Sequence, residues 1–405
     1  MIRATRTQWI KFAVVLALYL IFLVWLRSWL GLVVVPFIFD AYITKKIPWT
    51  WWRESKNRHV VTVMGWVDAI VFALVAVYFV NLYFFQNYVI PSSSLEKSLL
   101  TGDYLFVSKM SYGPRVPQTP LHMPLAQHTL PFFNCKSYLE HPQWDYKRVK
   151  GLGDVQLNDI VVFNFPAGDT VATGVPNDDI YRLSYGAGKE LAKPVDLASM
   201  TPEQQRVVYD YYYQLGREYL KENPQNFGEI ISRPVDRREN YVKRCVGLPG
   251  QTLEIKDRII YLDGKANKEP DNVQYRYLVK TKRPIPDDLA HELGISKEDM
   301  MMYYTDASVY NMPLTEKAKA GLLARKDIVV SIENTPADDA GGLYPLNMYK
   351  NWTTDNYGPV WIPKKGETVK LTIENLPVYE RPIHVYEGNE LAVKDGKIYI
   401  NGKET

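Results

Sequence analysis

Two apolar stretches near the N-terminus constrain this chain more than anything else in it. Gly65–Phe85 is 21 residues long and carries one charge, Asp68. As a helix it would measure about 31 Å, close to the roughly 30 Å of a bilayer's hydrocarbon. A transmembrane helix is expected over 65–85. Phe12–Phe39 also carries one charge, Arg27, but Gly31 and Pro36 interrupt it. Within 1–39 the expectation is one span, Ile10 to Leu30, then an interfacial piece; a re-entrant hairpin is the alternative. The stretch is too long for a cleavable signal peptide, and no small-residue cleavage site follows it.

Basic residues in short loops set orientation. Lys45, Lys46, Arg53, Lys56 and Arg58 make loop 40–64 cytoplasmic, which puts the N-terminus and the bulk of the chain on the other face. Arg3, Arg6 and Lys11 argue against exporting the tail, and the more highly charged loop is given precedence.

The net charge of +3 on 405 residues suggests no nucleic-acid partner. Cys135 and Cys245 are too few for a disulfide framework or a cysteine zinc site, though one bridge between them stays open. With no His-Glu-x-x-His run and no glycine-rich phosphate loop, no metal and no cofactor are expected.

Past Phe85 the chain turns polar and β-rich. A β domain is expected over 86–169, with strands at Tyr104–Val107 and Ile160–Phe165. Between them Leu121–Phe133 is apolar but broken by prolines, either a packed loop or one that dips into the lipid interface. A helical insertion is expected over 170–231. Thr201, Pro202 and Gln204 give its long helix a cap, a first-turn proline and a capping-box partner, and Val208, Tyr212, Leu215 and Tyr219 form a core-facing stripe. The β domain resumes over 232–265, with a hairpin at Lys256-Asp257. A second, α+β insertion follows over 266–389. It carries helices near 287–304 and 315–326 and a strand at 328–332. Leu391–Lys403 (LAVKDGKIYINGK) echoes Leu253–Lys265 (LEIKDRIIYLDGK), so 390–405 should be a hairpin of the same shape that returns the chain to the main sheet.

The chemistry centres on Ile90–Gly113, IPSSSLEKSLLTGDYLFVSKMSYG. A serine cluster at the mouth of a membrane span makes Ser94 a candidate nucleophile. A serine hydroxyl needs a base. None of His59, His122, His128, His141, His291 and His384 falls in a recognisable triad order, although triads assemble in space. The other base is a neutral lysine, whose charged form must be disfavoured by about 3–4 kcal/mol, which apolar burial achieves. In the strand YVKRCV, alternation puts Lys243 on one face with Tyr241 and Cys245, where it could be buried. Most strand lysines are simply exposed, so this signal alone is weak.

Four segments in order resemble one family, the bacterial type I signal peptidases. IPSSSLEKSL resembles the serine box, TGDYLFVSKMSYG the strand after it, NDIVVFNFP the Gly-Asp-x-x-Val-Phe strand, and YVKRCVGLPGQ the lysine box. The resemblance implies a membrane-anchored, mainly β protein. It would have two N-terminal transmembrane helices, an antiparallel β catalytic body of signal-peptidase type and α+β insertions. It implies Ser94 as nucleophile and Lys243 as general base, with the Ser92 hydroxyl and the Ser94 N–H forming the oxyanion hole; Arg244 is expected to be structural. The partners implied are signal peptides of exported preproteins and the lipid bilayer. The location implied is the bacterial inner membrane, multi-pass, with the catalytic domain extracytoplasmic. Ser94 lies nine residues past Phe85, at most about 30 Å along the chain. That holds it in the layer where such a substrate emerges.

The sequence departs from the family at Leu95 for methionine, Asn158 for glycine and Gln251 for an acid. The family's C-terminal box, Gly-Asp-Asn-x-x-x-Ser-x-Asp-Ser-Arg, has no counterpart. A shortened chain is the expectation, since an unfinished sheet would expose an edge. Two other functions stay open: a catalytically inactive or truncated membrane-anchored relative acting as a binding protein, and a Ser/Lys protease acting on itself.

Overall fold

The computed structural model describes residues 4–133, 135–176, 179–301, 304–306, 308–337, 343–346 and 352–405. They group into two compact units. Unit 1 is Met1–Val89, Tyr104–Val155 and Pro234–Asn240; unit 2 is Ile90–Asp103, Gln156–Arg233 and Tyr241–Thr405.

Unit 1 opens with α1 (Arg6–Leu26). Thr5 and Gln8 form a reciprocal capping box at its start, and Arg27 ends it in the left-handed region at φ 50°. The chain then doubles back through a 3-10 turn (Leu30–Val34), α2 (Val35–Phe39) and a π turn (Asp40–Thr44). Tyr19 Oη donates to the Gly31 carbonyl at 2.7 Å, and the Phe39 ring lies 5.4 Å from Phe12 and 6.3 Å from Trp9. The return segment therefore runs antiparallel along α1. The residues that interrupt the apolar run make this possible. A Cβ on Gly31 would sit 2.2 Å from Leu23 Cδ2, and Pro36 falls in the first turn of α2, where its missing N–H has no intrahelical role.

α3 (Arg58–Tyr83) starts seven residues before Gly65, capped by Asn57. It runs parallel to α1: Phe22 packs 4.9 Å from Phe79 and 5.2 Å from Tyr83, and Trp25 lies 6.5 Å from Tyr83. The starts of the two helices share one end of the bundle. The return segment brings the chain back along α1 before α3 begins. Both helices are long and apolar enough to cross a membrane.

At the other end, β1 (Phe85–Val89) pairs antiparallel with β2 (Tyr104–Ser108), from Phe85 opposite Ser108 to Val89 opposite Tyr104. A short ribbon, β3 (Arg115–Val116) with β4 (Lys147–Arg148), meets the end of α1. Trp25 Nε1 donates to the Lys150 carbonyl at 3.2 Å, Lys147 Nζ to the Arg27 carbonyl at 2.8 Å, and Leu26, Tyr83 and Val149 form a small core. Leu121–Phe133 is irregular, tied down by the bridges His122–Tyr138 and Thr129–Lys136, with Leu125, Phe132 and Phe133 exposed.

In unit 2, β5 (Ile160–Asn164) pairs with β8 (Asn240–Arg244), and β6 (Thr170–Ala172) with β7 (Ile230–Ser232). Between β6 and β7 stand α4 (Ile180–Leu191) and α5 (Pro202–Glu222), the latter with the capping box of Thr201 and Gln204; α6 (Pro224–Phe227) is a single turn. β9 (Thr252–Lys256) and β10 (Ile259–Leu262) join through Asp257 and Arg258, both at positive φ as a tight hairpin requires, and β11 (Lys265–Ala266) extends the sheet.

A second sheet, β13 (Tyr304–Asp306), β14 (Val309–Thr315), β12 (Gln274–Thr281) and β15 (Val329–Asn334), packs against α7 (Asp287–Glu292) and α9 (Glu316–Ala324) over a core of Val279, Leu289, Met312 and Leu322. α8 (Lys297–Met301) follows α7, so the single helix expected near 287–304 is two short helices and a strand. β16 (Tyr357–Trp361) pairs with β9, and α10 (Leu376–Arg381) follows.

The echo is real as shape. β17 (Leu391–Lys394) and β18 (Lys397–Ile400) turn at Asp395-Gly396, both at positive φ, and β19 (Lys403–Glu404) adds a third strand as β11 does. It does not return to the main sheet. Among the described residues these three strands pair only with one another, while β16 occupies the edge of β9.

Candidate active site

Ile90–Asp103 closes on itself. The Ile90 N–H donates to the Asp103 carbonyl at 3.0 Å, the Gly102 N–H returns to the Ile90 carbonyl at 2.9 Å, and the Asp103 carboxylate accepts from the Leu100 N–H at 2.7 Å. Gly102 takes φ 92°, which explains a glycine in the Thr-Gly-Asp turn. Inside this loop Ser94 sits in a one-turn 3-10 segment, Ser93–Leu95, entered by extended Ser92.

Lys243 Nζ is 2.7 Å from Ser94 Oγ, across 149 residues of sequence. Ser92 Oγ lies 3.5 Å from Ser94 Oγ, at the outer limit of a hydrogen bond. A charged amine at 2.7 Å donates to the hydroxyl; a neutral one can accept its proton.

The expected burial of Lys243 is not met. Within β8 it occupies the one exposed position, and Ser94 is exposed as well. The half-buried Tyr241 ring stacks on Phe165 at 4.4 Å and 9° instead of covering the amine, and the Cys245 thiol turns to the Gly247 carbonyl. The Tyr/Lys/Cys face exists in alternation but does not close over its lysine.

Arg244, on the opposite face, holds the loop in place. One guanidinium nitrogen donates to Ser98 Oγ at 2.9 Å and the other to the Asn158 carbonyl at 2.9 Å. It therefore ties the serine loop to the residue that leads into β5. Asn158 adopts φ 70°, the region where the family's glycine is comfortable and where asparagine is among the best tolerated alternatives. Its N–H donates to the Cys245 carbonyl at 2.7 Å, and the Cys245 N–H answers to the Asp159 carbonyl at 2.8 Å. Gln251 caps the Leu-Pro-Gly turn, its Oε1 accepting from the Leu248 N–H at 2.9 Å. The Ser98–Arg244 contact was hidden in the sequence. Its only trace was that Ser98 falls inside the serine-box resemblance.

His122 and His128 are engaged elsewhere: His122 Nδ1 with the Thr119 carbonyl, His128 Nε2 with Glu239. Cys135 and Cys245 are both free thiols.

The family model described as signal peptidase, peptidase S26, matches residues 63–291, more than half of the chain. The chain belongs to the S26 signal peptidase family. That family's domain is mainly β. The relatives include signal peptidase I P of Bacillus subtilis subsp. natto, 20% identical over 68% of this chain and 90% of the relative. Signal peptidase I of Rickettsia prowazekii is 24% identical over 37% of this chain and 56% of its own length. Signal peptidase I of Helicobacter pylori strain 26695 is 42% identical over 14% of this chain and 18% of its own length. The chain thus spans less than two thirds of several relatives that it matches. No solved structure matches it.

Proposed function

We propose that this chain is a membrane-bound serine endopeptidase that removes N-terminal signal peptides from exported preproteins, with its catalytic part on the extracytoplasmic side of a bacterial inner membrane. The observation that carries this reading is the 2.7 Å separation of Ser94 Oγ and Lys243 Nζ. Ser94 Oγ attacks the scissile carbonyl carbon while Lys243 takes its proton. The Ser94 N–H and the Ser92 hydroxyl stabilise the oxyanion. As the C–N bond breaks, Lys243 returns the proton to the leaving amine, leaving an ester on Ser94. Water, deprotonated by the same amine, then hydrolyses that ester.

This cycle needs a neutral amine. Lys243 is exposed in the free chain, so the cover that disfavours its charge is supplied by the bound peptide, lying over Ser94 and the β8 face. Ser94→Ala and Lys243→Met in the full chain should each lower cleavage of a preprotein by about three orders of magnitude or more. Undiminished cleavage by either variant would remove the dyad. The exposed amine also favours a second reading, a catalytically silent relative that binds a partner; cleavage by the unaltered chain, lost in Ser94→Ala, excludes it.

A further inference from the structure

We infer that the return segment Leu30–Thr44 is a third membrane-embedded element, so that the N-terminal tail and the Lys45–Arg58 loop lie together against the anionic headgroups of the cytoplasmic leaflet. The inference rests on the membrane reading above and concerns unit 1 alone.

Three observations converge on it. The first is direction. The C-terminal ends of α1 and α3 meet at Trp25, Leu26 and Tyr83, and the polar ribbon that follows touches the same end through Lys147 and Lys150. Both helices therefore start at the opposite end. A chain that crosses twice in the same direction must cross back in between, and Leu30–Thr44, a predominantly apolar segment antiparallel to α1, is what lies between.

The second is how the return segment is finished. Leu30, Val33 and Phe37 present apolar side chains outward, as lipid contact requires. Where the segment ends, Asp40 is 7% exposed and gathers the donors of the departing chain. Its carboxylate accepts from the Thr44 hydroxyl, the Lys46 N–H at 2.8 Å, the Ile47 N–H at 3.1 Å and Trp49 Nε1 at 3.2 Å. Backbone groups leaving hydrocarbon need partners from the protein itself, and Asp40 supplies them.

The third is charge. With this arrangement Arg6 and Lys11 share one end with Lys45, Lys46, Arg53, Lys56 and Arg58, against Asp40, Glu54 and Asp68, the last paired with Arg53 at 3.7 Å. The conflict between the basic tail and the basic loop disappears, because both obey the same rule on the same side. Tryptophans mark both boundaries: Trp9, Trp49, Trp51 and Trp52 at the basic end, Trp25 and Trp29 at the other.

The test uses the full chain in bacterial spheroplasts, in a background carrying Cys135→Ser and Cys245→Ser, with a membrane-impermeant maleimide as the probe. Single cysteines are placed by Thr5→Cys, Ser28→Cys, Lys46→Cys and Leu152→Cys. Ser28→Cys and Leu152→Cys should label in intact spheroplasts. Thr5→Cys and Lys46→Cys should label at least tenfold more once detergent opens the membrane. Labelling of Thr5→Cys in intact spheroplasts, or protection of Ser28→Cys while Leu152→Cys reacts, overturns the inference. A Phe12→Cys/Phe39→Cys pair should be joined within one chain by a short membrane-permeant bismaleimide, read by mass; two thiols that react singly without being joined overturn the hairpin whatever the labelling shows. Release of the chain by alkaline carbonate sinks the membrane reading and this inference with it. A retained chain with the wrong labelling pattern sinks the inference alone.

Discussion

Arg244 shows how much of the candidate site depends on one side chain beside the Ser94–Lys243 contact. It spans Ser98 and Asn158 with two charge-assisted hydrogen bonds, each worth about 1.5–3 kcal/mol. Arg244→Met should let the serine loop drift from Lys243 and lower kcat/KM for a preprotein by about tenfold to a hundredfold. Unaltered kcat/KM in a folded variant would make Arg244 a bystander. Lys109 is a different case. Burial, then the neighbouring Arg115 and Arg148, push its amine down to about 8. Its folded pKa lies below the unfolded one, so the folded state binds fewer protons between about pH 8 and the ordinary lysine range. Stability should therefore rise with pH across that window and stand lowest below it. Lys109→Met should flatten this dependence and stabilise the chain at pH 7 by on the order of 2 kcal/mol. Thermal melts at pH 7 and pH 10 read both effects, and an unchanged slope in the variant refutes the assignment. At this scale the sequence singled out Ser94 and Lys243, which the structure brings to 2.7 Å, because both sit in recognisable boxes. It hid the exposure of Lys243, because alternation says which face a side chain takes and nothing about what covers that face.

Among the elements, the α4–α5 pair depends on two glycines that no periodicity announced. A Cβ on Gly188 would stand 1.7 Å from the Tyr212 carbonyl oxygen, and one on Gly216 would stand 1.7 Å from the Ser184 carbonyl oxygen. The backbones cross in contact there. Val208, Tyr212, Leu215 and Tyr219 were the expected core stripe, yet the fully buried line of α5 is Tyr212, Gly216 and Leu220. The stripe is displaced because the close approach is at a residue with no side chain, which hydrophobic periodicity does not register. The capping box of Thr201 and Gln204 was legible, since it is local and needs no partner helix. Gly216→Ala must force the helices apart and should cost about 3 kcal/mol or more, the upper range for overpacking. Ser184→Ala should act in the opposite direction. Its hydroxyl is fully buried and has no hydrogen-bond partner among the described residues, so its removal should gain about 1 kcal/mol. Chemical denaturation of the two variants reads both signs, and a stabilised Gly216→Ala would reject the crossing.

For the molecule as a whole, the sequence presented the two long apolar helices, the β body and the echo, all of which are patterns within a short window. It did not present how distant segments are sewn together. Pro234–Asn240 belongs to unit 1 although it follows the whole of 156–233, and one carboxylate holds it there. Asp236 accepts from the Gln118 N–H at 3.0 Å, the Thr119 N–H at 2.9 Å and Thr119 Oγ1 at 3.0 Å. Arg237 Nε donates to the same Thr119 oxygen at 2.7 Å, and Arg237 Nη1 to the Gln127 carbonyl at 3.2 Å. Burial alone would raise the Asp236 pKa, but the hydrogen bonds from Thr119 and the charges of Arg237 and Arg115 outweigh it, and the net shift is downward. A depressed folded pKa gives stability that is complete above the ordinary aspartate value, about pH 4, and is lost as pH falls through the folded value. Asp236→Asn leaves Arg237 buried without its counter-charge and should cost about 3–5 kcal/mol at pH 7. Its stability should also be flatter than that of the unaltered chain as pH falls below about 4. If both proteins lose stability in parallel over that acid range, the seam between 118–119 and 236–237 is held by packing rather than by this carboxylate, and Tyr138, whose ring lies 5.8 Å from the Arg237 guanidinium, becomes the residue to remove next.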